Sequence, residues 1–142
     1  MKKLKKLFKI VVLEDNEFYN TMLTRQIKGH TNVMHEELGC DFEIDSYTSS
    51  TDCIRNLKPD TDIAILDYYL GESKNAMDIL KVIKEKCKNC RVIIISQFKN
   101  LKTYYQTLNE GAYHFIFKDR SALDKSCIVI DDIINERLNP GL

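Results

Sequence analysis

Five residues of this 142-residue sequence follow directly on short apolar runs and carry groups able to do chemistry. Glu14 and Asp15 follow Ile10-Val11-Val12-Leu13, and Asp67 follows Ile63-Ala64-Ile65-Leu66. Ser96 follows Val92-Ile93-Ile94-Ile95, and Lys118 follows Phe115-Ile116-Phe117. If the runs are parallel strands of one sheet, these side chains meet in the crevice beyond the carboxyl ends, where such sheets bind ligands. Three carboxylates in a partly dehydrated pocket repel one another, so either a cation joins them or some stay protonated. Oxygen-only ligands favour a hard ion such as Mg²⁺. Lys118 and Ser96 would offer a cationic contact and a hydrogen bond to the oxygens of a phosphoryl group, leaving one carboxylate as nucleophile and an acyl phosphate as product. Asp67 is the candidate nucleophile, because it stands alone on the central run facing the acidic pair. Carboxylates that merely cap helices are the competing explanation, and convergence at one rim outweighs it.

The elements that must position these residues are legible from periodicity. Each apolar run is too short for a helix and rich in β-branched or aromatic residues, as expected of a strand buried on both faces. Phe42-Glu43-Ile44-Asp45 alternates and predicts a fifth strand at a sheet edge. Between the runs the period becomes helical. Tyr19, Met22, Leu23 and Ile27 form a stripe after Asn16, and a weak helix over 51–57 ends before Pro59. Ala76, Ile79, Leu80, Ile83 and Cys87 form the next stripe, and Leu123, Cys127, Ile130, Ile134 and Leu138 the last. Leu101, Tyr104, Tyr105 and Leu108 form a shorter one, with Asn100 as N-cap and Gly111 as stop. The segment from Asn16 to Cys40 exceeds one crossover helix, so a helix there either runs on or breaks near Gly29-His30-Thr31. Strand and helix alternate five times, which predicts an α/β, doubly wound, five-stranded parallel sheet in the flavodoxin-like order 2-1-3-4-5 with helices on both faces.

Composition bounds the rest. Hydrophobic residues at 44% and charged residues at 30% describe a folded domain, and the length suits one: a basic lead-in over 1–8 and a core over about 9–139. Lys plus Arg and Asp plus Glu number 21 each, so no global basic field attracts nucleic acid or anionic membrane. The apolar stretch after MKKLKKLFK is too short for export or insertion, so a cytoplasmic location with reduced cysteines is expected. Cys87-Lys88-Asn89-Cys90 has redox-motif spacing but no second pair for zinc, and reads as ordinary thiols. His30, His35 and His114 share no ligand spacing with other groups and read as surface residues.

Taken in order, the motifs VVLEDN, AILDYYL, IIISQ and Gly111-Ala112 through Lys118 resemble the CheY-like receiver domains of two-component signalling, from Ile10 to the last helix. The resemblance implies that Asp67 accepts a phosphoryl group from a sensor histidine kinase or phosphotransfer protein. It implies that Asp15 and Asp67 hold Mg²⁺ directly, with the backbone carbonyl of Tyr69 as a third ligand and Glu14 acting mostly through water. Ser96 and Phe115 would form the two-state element that phosphorylation biases. Tyr104, Tyr105 and His114 fall where the family often binds its targets, although Tyr104 or Tyr105 could equally complete the core. Such a protein is a signalling phospho-acceptor, not an enzyme with turnover, and the sequence ends after a fifth helix, as a stand-alone receiver would.

The sequence departs from the family in places. The proline usual after the acceptor loop is missing, Ala76 replaces a glycine whose positive φ Asn75 is expected to adopt, Gln97 is large, and Asp119 follows the lysine. Tyr69 and Phe98, each two residues beyond a key group, would shield an acyl phosphate from water and slow its loss. The alternatives are a receiver-like module that binds partners without phosphorylation, or a Mg²⁺-dependent phosphohydrolase. The latter normally carries a second aspartate where Tyr69 stands.

Overall fold

The computed structural model describes residues 7–71 and 75–141. Most of the expected basic lead-in, and Glu72-Ser73-Lys74 of the acceptor loop, lie outside the described residues. Strand β1 (Leu7–Leu13) begins earlier than the apolar run suggests, because Leu7 and Phe8 also pair with the neighbouring strand and Phe8 is fully buried. Helix α1 (Glu17–Leu38), β2 (Asp41–Tyr47), α2 (Ser50–Asn56) and β3 (Ile63–Asp67) follow. Then come α3 (Ala76–Lys86), β4 (Arg91–Ser96), α4 (Leu101–Asn109), β5 (His114–Phe117) and α5 (Ala122–Leu138). The strands are all parallel in the order β2-β1-β3-β4-β5, with alternating β2 at an edge as its pattern requires.

Alternate side chains of a strand point to opposite faces, so a central strand covered on both sides must be apolar throughout. Ala64 and Leu66 of β3, with Val92 and Ile94 of β4, pack against α2 and α3 through Cys53, Leu57, Ile79, Leu80 and Ile83. Ile63, Ile65, Ile93 and Ile95 turn the other way, toward Leu23 and Ile27 of α1 and Val129, Ile130, Ile133 and Ile134 of α5. This double burial holds the strand ends in a fixed array.

Helix α1 does not break. Asn16 caps it by accepting the Tyr19 N–H at 2.8 Å, and it runs past Gly29 to Gly39, whose φ of 72° ends it. Leu23, Ile27, Thr31 and Met34 are buried at helical spacing along its length, and they offset one exposed glycine. Helix α4 turns differently from its expected stripe: Leu101 and Tyr105 face solvent, while Tyr104, Thr107 and Leu108 face the sheet. The five cysteines are buried, and burial pushes the thiols of Cys53 and Cys90 up to about 12. His30 is fixed by Asp131 of α5 at 2.6 Å, while His114 is exposed.

Candidate functional site

The sheet delivers its polar residues to one rim. Glu14 follows β1 with its N–H donating to the Tyr47 carbonyl at the end of β2, and Asn20 of α1 donates from Nδ2 to both the Glu14 and Tyr47 carbonyls. That clamp fixes the backbone beneath the acidic pair. Asp67 ends β3, Ser96 ends β4, and the Lys118 N–H donates to the Ser96 carbonyl at 2.7 Å, which sets the lysine beside both.

A carboxylate oxygen from each of Glu14, Asp15 and Asp67 lies within 4.8 Å of the others, the one such cluster among the described residues. Glu14 is fully buried: its Oε1 accepts from Lys118 Nζ at 2.5 Å and its Oε2 from the Asn16 N–H at 3.1 Å. Lys118 Nζ also lies 3.2 Å from Asp67 Oδ1. Asp15 is exposed and leaves the cluster open on its side. Burial first, then the hydrogen bond and charge of Glu14, push the Asp67 carboxyl up to about 8, with Lys118 opposing. Burial alone would lower the Lys118 pKa, but its contacts with Glu14 and Asp67 outweigh burial and the net shift is upward. An Asp67 that costs this much to ionise is stabilised as its anion by added positive charge, and the all-oxygen donors of the cluster fit a hard divalent ion such as Mg²⁺.

The recess over this cluster, of about 360 Å³, is walled by Asn16, Tyr69, Gln97 and Phe98 besides the charged groups. The rings of Tyr69 and Phe98 meet edge to face at 5.2 Å, joining the loops after β3 and β4. Asn75 bridges to Tyr69, and the Ala76 N–H donates to the Tyr68 carbonyl at 2.8 Å, which pins the Tyr69 backbone at the rim. Asn75 does not take the positive φ expected of it. It is extended, at φ −135°, and caps α3 by accepting the Met77 N–H; among the described residues of this loop the positive φ belongs to Gly71, at 67°. Ser96 is buried and its hydroxyl engages the backbone of Phe98, not Asp67. Phe115 is buried among Tyr104 and Phe117, with ring centroids 5.6 and 5.5 Å away.

A family model described as the response regulator receiver domain matches residues 10–125, which takes in every one of these groups. The chain belongs to the receiver-domain family. Solved structures agree on the fold. A response regulator receiver domain protein from Clostridium thermocellum is 22% identical with a TM-score of 0.73, covering 92% of this chain and 96% of that one. The non-phosphorylated HemR receiver domain of Leptospira biflexa is 18% identical, with a TM-score of 0.74 over 89% of this chain and 94% of that one. The beryllofluoride-activated DrrB receiver domain of Thermotoga maritima is 13% identical, with a TM-score of 0.72 over 91% and 98%. No curated protein matches the sequence. Among the described residues no helix is long and apolar enough to cross a membrane.

Sequence reasoning brought Glu14, Asp15, Asp67, Ser96 and Lys118 of this receiver to one rim. It missed three supporting residues. Asn20 reads as a polar interruption of a helix, Gly71 as an ordinary loop glycine, and Tyr19 as part of an apolar stripe. Tyr19 in fact turns its ring to Lys118, with 4.5 Å between Nζ and the ring centroid.

Proposed function

We propose that this receiver is switched by phosphorylation of Asp67, with a histidine kinase or phosphotransfer protein as donor and a protein target reading the result. The observation that carries the reading is Asp67 itself: a buried carboxylate at a central strand end, 3.2 Å from the Lys118 ammonium and within a cluster of acids that calls for a cation. Asp15, Asp67 and the Tyr69 carbonyl would hold Mg²⁺, while both Glu14 oxygens already accept hydrogen bonds and so suit an indirect role. Bound there, the ion would offset negative charge on the phosphoryl group.

The Asp67 carboxylate forms the new O–P bond, and the donor's N–P bond breaks with its electron pair leaving on the imidazole, which collects a proton. Lys118 exchanges part of its contact with Glu14 for a phosphoryl oxygen. Ser96, now held by its own loop, turns to another phosphoryl oxygen, and Phe115 repacks beneath it. Tyr104 packs on the Phe115 ring with centroids 5.6 Å apart, Tyr105 packs on Tyr104 at 5.2 Å, and His114 is exposed at the start of β5; these three would form the face a target reads. The reading assigns the protein to the cytoplasm, with no direct contact to nucleic acid or membrane.

Incubation with acetyl phosphate and Mg²⁺, followed by intact-mass measurement, tests this. The expected result is a gain of one phosphoryl group that Asp67→Asn abolishes. An unchanged mass would favour a module that binds partners without phosphorylation.

A further inference from the structure

The Lys118 ammonium carries three N–H donors and has no acceptor of its own. Two of its neighbours are carboxylate oxygens, Glu14 Oε1 at 2.5 Å and Asp67 Oδ1 at 3.2 Å. The third is the ring of Tyr19, whose centroid lies 4.5 Å from Nζ. Tyr19 is well placed to hold this contact. Its N–H is fixed by the Asn16 side chain at the start of α1, and its half-buried ring packs against the core beneath α1 and α5. The Lys118 side chain is only 11% exposed.

We propose that Tyr19 is a positioning residue for Lys118: the ring face holds the ammonium over Asp67, where it meets an incoming phosphoryl oxygen. The inference rests on the reading of Asp67 as phospho-acceptor. An aromatic face attracts a cation through its quadrupole, more strongly where water is excluded. It does so without adding an anion to a site that already gathers three carboxylates. A carboxylate in the same place would hold the lysine tightly and deepen the repulsion around Asp67. The ring restrains Nζ while leaving it free to move from Glu14 to the phosphoryl group. The interaction uses the ring face and not the phenol oxygen, so phenylalanine should serve as well.

The test compares the wild type with Tyr19→Phe and Tyr19→Leu, the latter keeping apolar bulk without an aromatic face. Three quantities are measured: the NMR shift of the Lys118 ε-methylene protons, the rate of phosphorylation by acetyl phosphate, and the affinity for Mg²⁺. In the wild type and Tyr19→Phe the ε-methylene resonance should lie upfield through the ring current, with equal rates. Tyr19→Leu should lose that shift and slow phosphorylation by about two- to thirtyfold, with Mg²⁺ affinity unchanged. An unshifted resonance in the wild type would overturn the proposal. So would a Tyr19→Leu rate equal to that of Tyr19→Phe, or a loss of Mg²⁺ affinity in Tyr19→Leu that matches its loss of rate. A wild type that takes up no phosphoryl group overturns the Asp67 reading and this inference together, whereas equal rates in a responsive protein overturn this inference alone.

Discussion

Burial and Glu14 push the Asp67 carboxyl from its ordinary 3.8 up to about 8, so between those values the folded chain binds a proton that the unfolded chain has released. Stability at this residue is therefore greatest below the unfolded value and declines as pH rises toward the folded one. In a chelating buffer, Asp67→Asn is expected to raise the urea midpoint near neutrality and flatten its pH dependence between about pH 5 and 8. The Glu14–Lys118 pair survives the change, and the Lys118–Asp67 ion pair lost with it is outweighed by the burial and repulsion removed. A variant no more stable than the wild type would mean that Lys118 already cancels the repulsion. At the mouth of the recess, the edge-to-face contact of Tyr69 and Phe98 gives the expected shielding a physical form. Truncating either ring, as Tyr69→Ala or Phe98→Ala, should shorten the lifetime of the phosphorylated protein severalfold by admitting water. Decay of the phosphorylated mass with time measures it, and an unchanged lifetime would refute the shield.

At the scale of elements, α1 carries two glycines in opposite circumstances. Gly29 lies mid-helix, exposed, with nothing within 4 Å of the position a Cβ would take. Gly29→Ala should stabilise the protein by about 0.5–1 kcal/mol, because alanine loses less chain entropy in a helix. Gly39 ends the same helix at φ 72°, and Gly39→Ala should destabilise by about 1 kcal/mol. Urea denaturation reads both, and equal signs would contradict the assignment. The same contrast explains why the path of α1 was illegible in sequence. A lone glycine weakens a helix by less than four buried anchors strengthen it, but the anchors are recognised only once the sheet they cover is known. Helix α4 illustrates the converse. Leu101 and Tyr105 are apolar in kind, but the sheet covers only the face bearing Tyr104 and Thr107, and composition does not say which face that is. Asn75 was expected to supply a left-handed turn and instead caps α3, a role its side chain fills equally well.

For the molecule as a whole, the strand order and the rim where the acids meet were legible because apolar runs buried on both faces leave few topologies, and each run ends in a polar residue. The contacts that tune the rim were not. Tyr19 over Lys118, and Lys118 against Glu14, join residues far apart in the chain whose types alone do not declare the pairing. Under the proposed reading, the acid cluster would couple Mg²⁺ binding to global stability. Mg²⁺ at about a hundred times its dissociation constant should add about 2.7 kcal/mol, seen as a higher melting temperature, and Asp15→Asn should remove most of that gain. A melting temperature indifferent to Mg²⁺ would rule out a folded-state site. The thiols have a further use. Cys53, Cys87 and Cys90 lie on one side of the sheet and Cys40 on the other, all inside the fold. An alkylating reagent can reach them only when the molecule opens, so the unmodified chain carries its own clock for unfolding. Sulfurs from both layers, alkylated in step, would reveal that the two layers come apart as a single cooperative unit.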